Sequence, residues 1–197
     1  MKEIIKAFDK QPLIKIEDRN YIINPLLDHA PETGYKLMRD VVIELTKITE
    51  LARANKIVGE EDRGGYIAAL MAYKNKKSLA MVKWNPGGLK GDLSINFRNA
   101  YTNGKMYVHG IKKGEDVILV EDIVDSGGTL IAMINLLKKS GVNIRDVVAI
   151  AEKIEYAGCR RIKEETGVSV KCLLRVSCAG DRSSVVSVLK NNRWEKF

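Results

Sequence analysis

Apolar and polar positions along this chain switch between two periods. Leu37, Val41, Leu45, Ile48 and Leu51 recur at three- and four-residue spacing, which predicts a core-facing helix over 33–54. Ile57 and Val58 open a short strand that runs into a polar glycine turn, and a second helix starts at about Gly65. "LAMVKW" (79–84) reads as a strand, and so does "KMYVHGI" (105–111). "DVILVE" (116–121) is apolar on both faces, as in the centre of a parallel sheet. A helix follows from Gly128 to Ser140, with Ile131, Ile134 and Leu137 inside and Gly141 as its stop. A strand at 146–152, a short helix at 157–166 and a strand at 169–176 continue the alternation. Strands alternating with helices predict an α/β fold with a mostly parallel sheet.

Two stretches break the rhythm. Residues 12–32 read as irregular, with a short strand at Tyr21–Ile23 and prolines at 12, 25 and 31. Residues 85–104 hold four glycines and a proline, yet also Ile95, Phe97 and Tyr101. They read as a mobile excursion or loose hairpin rather than a linker. The tail 190–197 carries Trp194 and Phe197, which suit docking on the body or on a second subunit.

Composition narrows the class. The 197 residues suit one domain with a sizeable core. The opening lacks the apolar segment of a signal peptide, and the longest apolar runs are too short to span a bilayer. Cys159, Cys172 and Cys178 have neither metal nor redox spacing, which fits reduced thiols in a cytoplasmic protein. His29 and His109 stand far apart, so they read as structural or surface residues. The net charge of +8 admits a nucleic-acid partner or a polyphosphate ligand. The Lys and Arg are scattered, which argues against nucleic acid.

The candidate chemistry gathers at strand ends. In a parallel sheet, ligands bind outside the carboxyl ends of the strands, so the turns at 59–65, 83–91 and 121–129 should share one edge. In "VILVEDIVDSGGTL" (117–130), Ser126, Gly127, Gly128 and Thr129 lead into a helix whose N–H groups can cradle one phosphate. No lysine follows the glycines, so this is not a nucleoside-triphosphate loop. Glu121 and Asp122 repel phosphate but accept from sugar hydroxyls, or stand behind Mg²⁺. A ribose 5-phosphate satisfies both halves.

This stretch resembles the phosphoribosyl-pyrophosphate signature of type I phosphoribosyltransferases. "VGEEDRGGYIAAL" (58–70) is similar to the pyrophosphate loop of adenine phosphoribosyltransferases and their relatives. "MVKWNPGGL" (81–89) is similar to the family's basic residue before a flexible flap. Over residues 20–176 the chain looks most like the archaeal hypoxanthine/guanine branch. The resemblance implies one domain over 1–197: a mostly parallel sheet flanked by helices, a small hood from about 1–32 plus a C-terminal segment, and a flap at about 85–104. It further implies that Glu121 and Asp122 bind the ribose hydroxyls and that Asp125 to Thr129 bind the 5-phosphate. Glu61, Asp62, Arg63, Gly64 and Lys83 would face pyrophosphate, with a strained, often cis, Glu61–Asp62 peptide. Mg²⁺ would be held through the substrate, with Glu121 and Asp122 as its possible protein ligands. A homodimer is implied as well.

Asp125 bears on the choice of base. In 6-oxopurine enzymes of this family an Asp at this position handles the N7 proton. The adenine enzymes instead carry a Glu in the flap, and at that spacing this chain has Ser94, Phe97, Ala100 and Tyr101. Lys153, at the end of the next strand, is a candidate to donate to a 6-oxo oxygen, with a surface lysine as the alternative. Tyr21, Asn24, Leu26 and Leu27 are candidates to close the base pocket, and Trp84 is a candidate for stacking. The reading is purine salvage: transfer of 5-phosphoribosyl to N9 of hypoxanthine or guanine. An adenine enzyme is the alternative within the class. A non-catalytic nucleotide sensor that binds nucleic acid is the alternative outside it.

Overall fold

A computed structural model of the chain describes residues 1–88, 90, 93–98 and 103–197. Among these, nine strands form one sheet, in the order β11 (Arg193–Lys196), β10 (Ser184–Lys190), β9 (Val170–Ser177), β8 (Asn143–Lys153), β7 (Asp116–Val124), β3 (Lys56–Glu60), β4 (Ser78–Lys83), β6 (Asn103–Val108), β5 (Leu93–Arg98). Its centre is parallel: β9 (Val170–Ser177), β8 (Asn143–Lys153), β7 (Asp116–Val124), β3 (Lys56–Glu60) and β4 (Ser78–Lys83). β7 and β8 are buried on both faces because their side chains alternate between two cores. Ile118, Val120, Val148 and Ile150 face one core, and Val117, Leu119, Val147 and Ala149 face the other.

Helices cover both cores. α1 (Lys2–Phe8), α2 (Tyr35–Lys47) and α3 (Arg63–Lys74) supply Ile4, Phe8, Val41, Leu45, Ile67 and Met71 to the first. α4 (Gly128–Lys139) and α5 (Gly158–Thr166) supply Leu130, Ile134, Leu137 and Ile162 to the second. A β-helix-β crossover of this kind leaves both sheet faces dry.

Several expectations change. α2 ends at Lys47 rather than at 54. Ile48 caps it, and a short 3₁₀ turn at Leu51–Arg53 takes the chain to β3. The apolar stripe continued past the helix because the 3₁₀ turn keeps Ile48 and Leu51 against the same core. Residues 12–32 are not wholly irregular: β1 (Leu13–Ile16) pairs antiparallel with β2 (Arg19–Ile22) as a separate hairpin. For 85–104 the hairpin reading holds among the described residues. β5 (Leu93–Arg98) pairs with β6 (Asn103–Val108), and β6 joins β4 antiparallel. Tyr101 lies outside the described residues.

The tail docks on the body as strands. β10 (Ser184–Lys190) pairs with β9, and β11 (Arg193–Lys196) pairs with β10. The Arg175 guanidinium lies 4.2 Å from the Trp194 ring centre, while Phe197 stays 63% exposed. No helix among the described residues is long and apolar enough to cross a membrane.

Candidate active site

β3, β4 and β7 are parallel neighbours in register, Gly59 beside Met81 and Val120, so the turns after them open at one sheet edge. A cavity of ≈ 340 Å³ lies there, bounded by Glu60, Asp62, Arg63, Trp84, the run from Glu121 to Leu130, and Lys153. Tyr21, Ile22 and Leu27 close it from the β2 side.

The phosphate-type turn is shaped by two glycines. Gly127 has φ +80°, a left-handed conformation that costs an L side chain energy. A Cβ there would also lie 2.8 Å from Ile162 Cγ1. Gly128 opens α4, whose first-turn N–H groups have no acceptor within the helix. Ser126 and Thr129 line the cavity on either side. Behind them, a Cβ on Gly158 would fall 2.0 Å from the Asp125 carbonyl oxygen, so only glycine lets α5 pack this close.

Three carboxylates crowd the cavity floor. Glu60, Glu121 and Asp122 are all buried. Burial, followed by the nearby Asp122 and Asp62 charges, pushes the Glu60 carboxyl up to about 7. Burial and the Asp122 charge likewise push Glu121 well above the usual carboxylate range. Arg63 partly offsets this charge, with Nε 3.4 Å from Asp122 Oδ2 and Nη1 3.8 Å from Asp28 Oδ1. The Arg63–Asp122 contact is within ion-pair range but lacks hydrogen-bond geometry. Among the described residues, Glu121 Oε2 and Asp122 Oδ2 have no hydrogen-bond donor. Buried acceptors in that condition suit a ligand rich in hydroxyls or a hydrated cation. No group of three or more His, Cys, Asp or Glu among the described residues forms a metal cage. The donor-less oxygens of Glu121 and Asp122 on the cavity floor fit Mg²⁺, which keeps waters and substrate oxygens in its shell.

The Asp125 carboxylate is gripped by two cations. Arg19 Nη1 lies 2.8 Å from Oδ1, and Lys153 Nζ lies 3.3 Å from Oδ2. Lys153 is not a surface residue: it is 3% exposed and also donates to the Asn20 carbonyl at 2.9 Å. The Arg19 guanidinium sits 4.4 Å from the Tyr156 ring centre, and Lys153 Nζ lies 5.0 Å from that of Tyr21.

Other sequence candidates sit elsewhere. Leu26 is core, 1% exposed, and its carbonyl accepts from the Tyr66 hydroxyl. Asn24 builds the turn rather than the pocket: its Oδ1 accepts from the N–H groups of Leu26 and Leu27, at 2.9 and 2.8 Å. His29 packs against the Tyr66 ring, with centroids 5.1 Å apart. Glu61 and Lys83 are exposed and do not line the cavity. Gly64 lies beneath it, where a Cβ would meet Glu121 Oε1 at 2.7 Å. Ser94 is in β5, and its carbonyl accepts from Lys139 Nζ at 3.1 Å, away from the cavity. The Glu61–Asp62 peptide is trans; the cis peptide among the described residues joins Ala30 and Pro31. The trans turn already satisfies Glu61 N–H on the Val82 carbonyl and Trp84 N–H on the Glu61 carboxylate, without the roughly 3–4 kcal/mol of a non-proline cis bond.

Two charged residues of the site, Glu60 on the cavity wall and Arg19 behind Asp125, are not legible in the sequence. Glu60 is the last residue of an apolar strand, one place before the acidic turn, and only the pleat turns it into the cavity. Arg19 is distant in sequence from Asp125 and Tyr156, and a hairpin brings it to them.

Residues 56–173 match the family model described as the phosphoribosyl transferase domain. The chain belongs to the phosphoribosyltransferase family. It is 33% identical over 181 residues to a hypoxanthine/guanine phosphoribosyltransferase of Methanopyrus kandleri, covering 92% of this chain and 95% of the relative. It is 30% identical over 171 residues to the hypoxanthine/guanine phosphoribosyltransferase of Methanocaldococcus infernus, covering 87% of this chain and 92% of that one. Among solved structures it is similar to adenine phosphoribosyltransferase from Thermoanaerobacter pseudethanolicus. That match has a TM-score of 0.73 and 23% identity, and it covers 88% of this chain and 98% of that one. At that identity the likeness establishes the fold. This phosphoribosyltransferase therefore has the type I architecture, with its carboxylate and glycine turn at the carboxyl edge of the sheet.

Proposed function

We propose that this phosphoribosyltransferase transfers 5-phosphoribosyl from phosphoribosyl pyrophosphate to N9 of hypoxanthine or guanine, yielding the nucleotide and pyrophosphate. The observation that carries this reading is Asp125, at the signature turn, held in one cavity beside buried Lys153. The carboxylate accepts the purine N7 proton, and the ammonium donates to a 6-oxo oxygen. A 6-amino group offers Lys153 no comparable acceptor, which disfavours adenine.

The donor is read onto the same cavity. Ser126 to Thr129 hold its 5-phosphate at the start of α4. Glu121 and Asp122 take the ribose hydroxyls on their donor-less oxygens. The turn at 61–64 faces the pyrophosphate, with Lys83 approaching from outside. The bond from C1 to pyrophosphate breaks as N9 closes on C1, and the chain acts by positioning and by placing charge. Glu121 and Asp122 would hold Mg²⁺ together with the donor, and the bound ion would supply charge neutralisation for the leaving pyrophosphate. The hairpin β1–β2 serves as a hood over the base, and the 85–104 segment serves as a flap excluding water. The protein works as a cytoplasmic homodimer.

The test is a panel of hypoxanthine, guanine, xanthine and adenine with phosphoribosyl pyrophosphate and Mg²⁺, scored by pyrophosphate release. Turnover highest with hypoxanthine or guanine supports the reading. Turnover with adenine alone replaces it by the adenine enzyme, and no turnover with any base refutes transferase activity.

A further inference from the structure

The three cysteines have no redox spacing in sequence, yet the fold joins two of them. Cys159, in the first turn of α5, and Cys172, in β9, have their sulfur atoms 3.6 Å apart. They lie at the edge of a second cavity of ≈ 290 Å³, lined also by Glu152, Arg175, Leu189 and Trp194. Cys159 is partly exposed there and Cys172 is buried. A disulfide needs the sulfurs at about 2.05 Å, so bonding must bring the two sulfurs closer than they stand in the reduced pair.

α5 is also the wall behind the phosphate turn. Gly158 packs so tightly on Asp125 that a Cβ would sit 2.0 Å from its carbonyl oxygen. Ile162 fills the space where a Gly127 side chain would be, and Arg161 Nη1 donates to the Ser126 carbonyl at 3.2 Å. The thiol of Cys159 is thus one residue from the contact that shapes the turn.

We propose that Cys159 and Cys172 form a disulfide when exposed to a peroxide, and that this bond pulls the first turn of α5 toward β9 and loosens the 125–129 turn. The coupling half rests on the reading of 126–129 as the 5-phosphate cradle. The Cys159 thiolate attacks one peroxide oxygen, giving a sulfenic acid and releasing the other oxygen as hydroxide. Cys172 then attacks the Cys159 sulfur, which expels the sulfenic oxygen as water. Overall, two thiols and one H₂O₂ give one disulfide and two waters. The order of attack follows access, because Cys159 opens on the cavity. It also follows acidity: the neighbouring Cys159 and burial both push the Cys172 thiol well above its usual range.

The experiment treats the full-length protein with excess H₂O₂, maps cross-links by non-reducing digestion and mass spectrometry, and measures ribose 5-phosphate binding by calorimetry before and after. Expected are a Cys159–Cys172 peptide pair, an alkylatable Cys178, and at least tenfold weaker binding that dithiothreitol restores. Cys159→Ser and Cys172→Ser should each abolish the cross-link and keep binding unchanged by peroxide. Two free thiols after treatment, or a mapped disulfide with unaltered affinity, overturns the proposal. If the reduced protein fails to bind ribose 5-phosphate, the cradle reading falls and the coupling with it; the mapped cross-link is judged separately.

Discussion

Asp125 holds two ion pairs before any base arrives, and that sets what its substitutions do. Asp125→Asn keeps the shape of the turn but cannot take a proton. Its kcat with hypoxanthine should fall by roughly 10²–10⁴-fold. The calorimetric affinity for phosphoribosyl pyrophosphate should hold, and an unchanged kcat would remove Asp125 from the chemistry. Arg19 occupies Asp125 Oδ1, so a purine whose N7 proton goes to that oxygen competes with it. The pair is partly exposed, worth about 0.2–1 kcal/mol, and Arg19→Gln should therefore lower the KM for the base up to about fivefold with the donor KM unchanged. A higher base KM would mean that Arg19 instead contacts the bound base.

The carboxylate floor arises from two neighbouring strands: β3 ends in Glu60, and β7 carries Glu121 and Asp122. Glu60 titrates at about 7 in the folded protein against an ordinary 4.5. The folded state thus keeps a proton that the unfolded chain releases. The stabilisation is complete below about pH 4.5 and is lost as pH rises through about 7. In metal-free buffer, urea unfolding should show wild-type stability falling between pH 5 and pH 8. Glu60→Gln should flatten that slope and be more stable at pH 8 by roughly 1–3 kcal/mol. An identical slope in the variant would refute the assignment. The same element-scale view explains what sequence reading missed. The period of β3 was legible, but which way its final residue points depends on the register with β4 and β7. β1 and β2, four residues each, lie among prolines and charged residues, and pairing with each other makes them strands. β10 gave no expectation at all; its bulged pairing with β9 defines it.

At the scale of the molecule, a chain of net charge +8 holds a cavity floored by acids. The long-range field draws in a polyanionic donor while the short-range contacts accept its hydroxyls. The kcat/KM for phosphoribosyl pyrophosphate should therefore fall as KCl rises from low to physiological strength, mainly through KM. A salt-independent kcat/KM would deny the surface any steering role. The sequence by itself determined the alternation of helices and strands, the parallel centre and the turn from Glu121 to Thr129. Each of these is written in contiguous residues, where periodicity, glycine and charge act locally. Only the tertiary structure decided what meets across distance. It buried Lys153 against Asp125, drew Arg19 to the same carboxylate, sent Leu26 and Asn24 into the frame of the molecule, and set two unspaced cysteines in contact. Those outcomes depend on strand register and on how closely α5 can approach the turn, and sequence periodicity specifies neither.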